Sequence, residues 1–183
     1  MSKDFSFFET PFGYAAFGIQ KEKITSFHLP HPSFEALKNY LHPLLEDKPS
    51  YDVFFPLSLK FCLEKEIQEY FQGSRQIFSE KFTSPFKRRD FFYTDFSYLV
   101  FSALDDLSYG ETISYGELAS KIGKKGAQRA LGHQVGKNSF PLLFPCHRIT
   151  GKNNLGGFSS AMGTPLKEQL ILFEKSHNIK RQN

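Results

Sequence analysis

The 183-residue chain has no tryptophan, two methionines and two cysteines, and it has no apolar run near the roughly eighteen residues that span a bilayer. Each shortage excludes a class of protein. Cys62 and Cys146 cannot build a disulfide framework, and neither belongs to a CxxC or Cys/His cluster of the kind that holds structural zinc. A reducing compartment is the natural setting. His28, His31 and His42 lie in a proline-punctuated segment with no cysteine nearby; they read as surface or packing residues, and no metal is expected. The Met1-Ser2-Lys3-Asp4 start lacks the apolar core of a secretory signal, so an intracellular protein without membrane attachment is expected. The net charge of +4 is too small to name a partner. Phenylalanine is abundant, at 22 residues, which implies an aromatic-rich core and attaches to no function.

This length fits one sizeable core or two small ones. Thr10-Pro11-Phe12-Gly13 leads into Tyr14 to Ile19, and Gln20-Lys21-Glu22-Lys23 into Ile24 to Leu29, a hairpin with a polar turn. Phe34, Leu37, Leu41, Leu44 and Leu45 recur at helical spacing, as do Leu59, Leu63, Ile67, Tyr70 and Phe71 before Gly73. Gln76 to Phe82 reads as a returning strand. The polar stretch Thr83 to Asp90 reads as a connection, which divides the chain into an α/β unit over 1–90 and a second unit over 91–176. Residues 177–183 are expected to form a disordered basic tail.

The second unit reads as helical. Asp95 is the expected N-cap of a stripe formed by Phe96, Leu99, Val100, Ala103, Leu104 and Leu107. Ser114-Tyr115-Gly116-Glu117 makes a capping box for a short helix to Ile122, and a second helix follows from Ala127 to about Val135. That pair has helix-turn-helix proportions. Lys121, Lys124, Lys125, Arg129 and Lys137 gather around it, which suits phosphate binding or a merely solvated face. The second helix is nearly smooth, with Gly126, Ala127, Ala130 and Gly132 around Arg129, so it suits close approach to a duplex or close packing in a core.

Within ten residues of that helix stands Phe144-Pro145-Cys146-His147-Arg148. A thiol attacks as its thiolate, and a free cysteine with a pKa of about 8.5 is mostly protonated at neutral pH. His147 and Arg148 are the adjacent groups able to generate the reactive form. Further on, Thr164 is the expected cap and Pro165 the first position of a helix with Leu166, Leu170 and Phe173 buried and Glu174 at the stripe's edge.

Residues 95 to 175 resemble the catalytic domain of the O6-alkylguanine-DNA alkyltransferases, the methylated-DNA-protein-cysteine methyltransferases. The blocks that carry the resemblance are Gly110-Glu111-Thr112-Ile113-Ser114-Tyr115-Gly116-Glu117-Leu118-Ala119, Arg129-Ala130-Leu131-Gly132, Asn138, Pro145-Cys146-His147-Arg148 and Lys167-Glu168 to Glu174. The first ninety residues are similar more loosely, through the hairpin and Glu69-Tyr70-Phe71-Gln72-Gly73. The resemblance implies an α+β fold. A small N-terminal α/β unit, RNase H-like with an antiparallel sheet plus helices, precedes a mostly helical C-terminal unit with a winged helix-turn-helix-like motif.

It also implies chemistry. A damaged guanine would be rotated out of the duplex, because a nucleophile cannot reach the alkyl carbon on O6 of a stacked base. Arg129 would fill the vacated stack; Tyr115 would crowd the 3′ phosphate and donate a proton to guanine N3. DNA would lie against Tyr115, Ala127, Gln128, Arg129, Ala130, Gly132 and Gln134, through the minor groove and without sequence preference. The alkylguanine pocket would be formed by Tyr115, Pro141, Phe144, Phe158 and Ser159. Glu174, His147, a bridging water and Cys146 would form a relay, and the amide of Asn138 would tie the turn that presents Cys146. The thiolate would displace guanine in one step and keep the alkyl group, so each molecule acts once, as a monomer and with no cofactor. The expected location is cytoplasmic, on the nucleoid in a bacterium or in the nucleus of a eukaryote.

The chain departs from the family pattern at Gln134, where alanine is usual, at Ser139, where proline is usual, and at Phe158, which replaces a common tyrosine. The segment from Ser159 to Leu166 is longer than in many members. The rival readings are a damage sensor that flips alkylated bases without repairing them, a Cys-His-Glu hydrolase, and a transcription regulator. A sensor of that kind lacks the cysteine, adjacent Cys146 and His147 do not suit a papain-like site, and a regulator has no use for the Cys146 block.

Overall fold

The computed structural model describes residues 4–43 and 54–178. Its first element is an antiparallel sheet of strands β1 (Asp4–Thr10), β2 (Gly13–Gln20), β3 (Lys23–His31) and the short β4 (Phe55–Pro56), paired in that order. Lys21 and Glu22 both take positive φ (50° and 57°), the two-residue hairpin turn whose twist matches the flanking strands. One face of the sheet packs Ala16 with Phe5, Phe7 and Tyr14 against Leu37 and Leu41 of α1 (Phe34–Leu41). The other carries Phe8, Ala15, Phe17 and Phe27, which meet Leu63, Ile67, Tyr70 and Phe71 of α2 (Lys60–Phe71). Full burial of one such phenylalanine is worth about 2–3 kcal/mol. Leu44 and Leu45, expected on the first helix, lie outside the described residues.

Gln76 to Phe82 forms no strand. It runs irregularly into the one-turn helix α3 (Glu80–Thr83), and the sheet's fourth strand is β4 instead. Glu66 explains the difference: its buried carboxylate accepts from the Ser79 amide at 2.8 Å and from the Ser79 hydroxyl, and this holds the segment to α2. The polar connection is made of two 3₁₀ turns, Ser84–Lys87 and Arg89–Phe91.

The second half begins with α4 (Asp95–Asp105), capped by Thr94, whose hydroxyl accepts from the Ser97 amide at 3.0 Å. Asp95 is therefore the first helical residue and not the cap, and the helix stops at Asp105, short of Leu107. A two-stranded parallel ladder, β5 (Ile113–Ser114) with β6 (Ile149–Thr150), frames α5 (Tyr115–Lys121) and α6 (Gln128–Val135). The capping box of Ser114 and Glu117 is present in both directions. The last helix, α7 (Thr164–Ser176), has Gly163 as its N-cap, with Thr164 inside the helix and its hydroxyl turned to the Gly156 carbonyl. One continuous apolar cluster runs from Phe8 on β1 to Leu170 on α7, so the sheet and the later helices share a core. No helix among the described residues is long and apolar enough to cross a membrane.

Candidate active site

The β5–β6 ladder aligns two turns. In its register, Ile113 opposite Ile149 and Ser114 opposite Thr150, Tyr115 opens α5 directly after β5, while the 3₁₀ turn Cys146–Arg148 ends directly before β6. The approach to that turn is held by Asn138. Its Nδ2 donates to the Phe144 carbonyl (2.9 Å), and its Oδ1 accepts from the Phe140 amide (3.1 Å). Between these anchors Leu142 adopts φ +74°, a strained value for a side-chain-bearing residue. Such strain persists only where the surroundings over-determine it, which is what the two Asn138 bonds do.

Cys146 opens on a cavity of about 540 Å³, a size typical of small-molecule sites, lined by Tyr115, Gln128, Arg129, Gly132, Asn138, Pro141, Phe158 and Ser159 among others. Gly156 allows the pocket wall to lie against Tyr115: it has φ +71°, and a Cβ there would come within 3.1 Å of the Tyr115 ring. Phe144, expected in this lining, is not part of it. It is fully buried behind the pocket with its ring tilted against Phe101, centres 4.8 Å apart; its contribution to the site is its carbonyl. An aromatic next to the cysteine reads as a pocket wall, but the turn sends it into the core.

Beneath the cysteine lies a buried charge network. Glu174, placed by sequence at the edge of α7's stripe, is buried, and its two oxygens accept five bonds. Oε1 accepts from His147 Nε2 (2.8 Å), Tyr70 Oη (2.7 Å) and Arg148 Nη2 (2.8 Å). Oε2 accepts from Arg148 Nε (2.8 Å) and the Gly110 amide (3.0 Å). Gly110 has φ +76°, and a Cβ there would stand 2.8 Å from the Asn178 amide nitrogen, so glycine is required. Burial would raise the Glu174 pKa, but His147 and Arg148 outweigh it and hold the carboxyl well below the usual range. The ionised carboxylate only accepts, so His147 Nε2 carries hydrogen and the neutral ring has its lone pair on Nδ1. Nδ1 is buried and has no hydrogen-bond partner among the described residues.

Burial lowers the His147 pKa against the pull of Glu174, so the imidazole is neutral and able to take a proton at neutral pH. Burial raises the Cys146 pKa, and the Asn138 amide and Lys167 partly offset this. The resting group is thus a thiol that needs a base. Arg148, one of the charges that sequence placed beside the thiol, is committed elsewhere, to Glu174 and the Leu107 carbonyl.

Sequence reasoning placed Lys167 in a family block but gave it no role in the site. Its side chain is fully buried, donates to the Gly157 carbonyl at 3.2 Å, and places Nζ 5.9 Å from the Tyr115 ring centre and 5.8 Å from that of Phe158. Burial lowers its pKa and Cys146 favours its charge. The available signal was a lysine one position after Leu166 and seven before Glu174, on the apolar side of α7.

On the rim, α6 buries Leu131 and Val135 and turns Gln128, Arg129, Ala130 and His133 to solvent. Ala127, the expected first residue of this helix, is its N-cap and lies one residue outside the observed helix, and Gln134 is half-buried and away from the cavity lining. Among the described residues no group of three or more His, Cys, Asp or Glu side chains is placed to hold a metal.

Known proteins resemble this arrangement. Residues 95–176 match the family model described as 6-O-methylguanine DNA methyltransferase, DNA binding domain. A Haemophilus influenzae methylated-DNA–protein-cysteine methyltransferase is 32% identical over 172 residues, 93% of this chain and 86% of the relative. The constitutive Bacillus subtilis enzyme of that name is 35% identical over 113 residues, covering 61% of this chain and 64% of the relative, just under two thirds of its length. Among solved structures, the Mycobacterium tuberculosis O6-methylguanine methyltransferase superposes with a TM-score of 0.63 at 26% identity, over 96% of this chain and 94% of that one. A structure of that organism's OGT in complex with DNA gives the same TM-score over 94% and 93%.

Proposed function

The chain belongs to the methylated-DNA–protein-cysteine methyltransferase family, and from that membership we propose that it repairs DNA by moving an alkyl group from O6 of guanine onto Cys146, once per molecule. The observation that carries the reading is the buried Cys146 opening on a cavity with room for a purine base, beside an exposed helix, with a neutral His147 polarised by Glu174 behind it.

The exposed face of α6 lies against the minor groove, and Arg129 fills the gap left by the rotated guanine. In the cavity the Cys146 thiol passes its proton, through a water, to His147 Nδ1, and Glu174 stabilises the imidazolium. Sγ then attacks the alkyl carbon; the S–C bond forms as the C–O6 bond breaks. The leaving guanine gains electron density, and Tyr115, kept protonated by burial and by Cys146, supplies a proton at N3. Lys167 adds positive charge beside the forming thiolate. Water does not displace a thiolate from an unactivated thioether carbon, so the alkyl group stays.

With excess methylated duplex, the O6-methylguanine lost should plateau at one equivalent of protein. Continued turnover would contradict the reading, and no loss at full DNA binding would point to a damage sensor. Arg129→Ala should slow transfer from duplex DNA by about 10- to 100-fold, since base extrusion costs a few kcal/mol that the inserted side chain offsets. Reaction with free O6-benzylguanine should change little. Equal losses on both substrates would remove Arg129 from base flipping.

A further inference from the structure

We propose that Tyr70 is a positioning residue of this site: its hydroxyl, brought from α2 in the first half of the chain, fixes the carboxylate of Glu174 and sets how strongly that carboxylate pulls on His147. The inference rests on the relay just described and extends it to the N-terminal unit, where sequence reveals no catalytic constellation.

Tyr70 is 1% exposed, and its Oη stands 2.7 Å from Glu174 Oε1 across 104 residues of sequence. Its ring is held by Phe71 on its own helix, Phe78, Tyr109 and Phe173, with centres 5.2 to 6.0 Å away. Those neighbours come from separate stretches of the chain, so the direction of the hydroxyl is determined by packing. A carboxylate oxygen has two lone pairs, whereas Oε1 serves three donors, Tyr70, His147 and Arg148. The electron density that Tyr70 draws is density withheld from His147 Nε2–H. Burial and the charge of Glu174 keep the phenol protonated, so Tyr70 meets the carboxylate as a hydrogen-bond donor. Two further bonds brace the same region from the first half of the chain. The Phe27 amide donates to the Ser139 carbonyl at 2.8 Å, next to Asn138, and Gln76 Nε2 to the His177 carbonyl at 2.7 Å, at the end of α7. Tyr70 alone of these contacts reaches the relay.

Tyr70→Phe keeps the ring and its packing and removes only the donor. In the full chain, the His147 Nε2–H proton resonance should move downfield as Glu174 becomes the stronger acceptor. Site-specific 3-fluorotyrosine at position 70, a stronger donor in nearly the same space, should move it upfield. In Tyr70→Phe, the single-turnover rate on methylated duplex should fall several-fold at unchanged duplex affinity, because the carboxylate loses one of the bonds that orient it. A resonance that stays put in both variants, or one that moves while the transfer rate stays at the wild-type value, would overturn the proposal. Wild-type protein that transfers no methyl would sink the functional reading instead, and the resonance comparison would still report on Tyr70.

Discussion

Alanine at Cys146 should abolish methyl transfer and leave affinity for duplex DNA nearly unchanged. Sγ is the sole thiol of the cavity lining, and no neighbouring side chain there replaces its nucleophilicity. In the proposed reading the duplex meets the exposed side of α6, where Leu131 and Val135 are the buried residues and the cysteine is not part of the helix. Loss of one buried sulfur should cost about 1 kcal/mol, too little to unfold the chain. The checks are a single-turnover repair assay beside a DNA-binding titration. A parallel loss of binding would make Cys146 a structural residue of the turn.

Glu174→Gln should be the most destabilising conservative change in the site. Glutamine keeps one acceptor oxygen and turns an NH₂ group toward the donors that the second oxygen served, and the Arg148 guanidinium stays buried without its counter-charge. Breaking a buried pair in this way costs about 3–5 kcal/mol, and a chain of this size loses roughly 2–4 °C of Tm per kcal/mol. A fall of roughly 6–20 °C follows. Transfer should drop by about 10²–10⁴-fold, since His147 loses the anion that supports its protonated form.

The same variant separates two pH effects. The folded carboxyl of Glu174 lies below its ordinary 4.5, so its stabilisation is complete above about that pH and lost as pH falls toward the folded value. For His147 the folded pKa is below 6.5, so the unfolded chain takes up the proton first and stability declines as pH falls from about 6.5. Wild-type melting temperatures should therefore fall in two stages on acidification. In Glu174→Gln the lower one should shrink, with only carboxyls such as Asp90 and Glu117 left to contribute to it.

The parts of the site that were legible in the sequence are those set by local rules. The capping box at Ser114, the hairpin turn at Lys21-Glu22 and the apolar stripe of α2 depend on neighbours within a few residues, and they stand where expected. The ordered blocks from Gly110 to Glu174 identified the family. What escaped depends on distance in sequence. Phe144 is turned inward by the Asn138 bonds and the strained Leu142. Gln76 to Phe82 has strand-like composition but is captured by Glu66 thirteen residues away. Tyr70 looks like any aromatic in a helical stripe, although a buried tyrosine hydroxyl needs a partner, and that partner lies on the last helix. Asp95 and Thr164 each missed the cap position by one residue, the ordinary uncertainty of helix ends.

The most direct test of the account is the mass of the peptide that contains Cys146 after the full chain has met duplex DNA carrying O6-methylguanine. The account predicts that this peptide gains the mass of one methylene group, in proportion to the lesion consumed, and that the exposed Cys62 peptide is unchanged. An unmodified Cys146 peptide from protein that has bound the duplex, or a methyl group on any other residue, would contradict it.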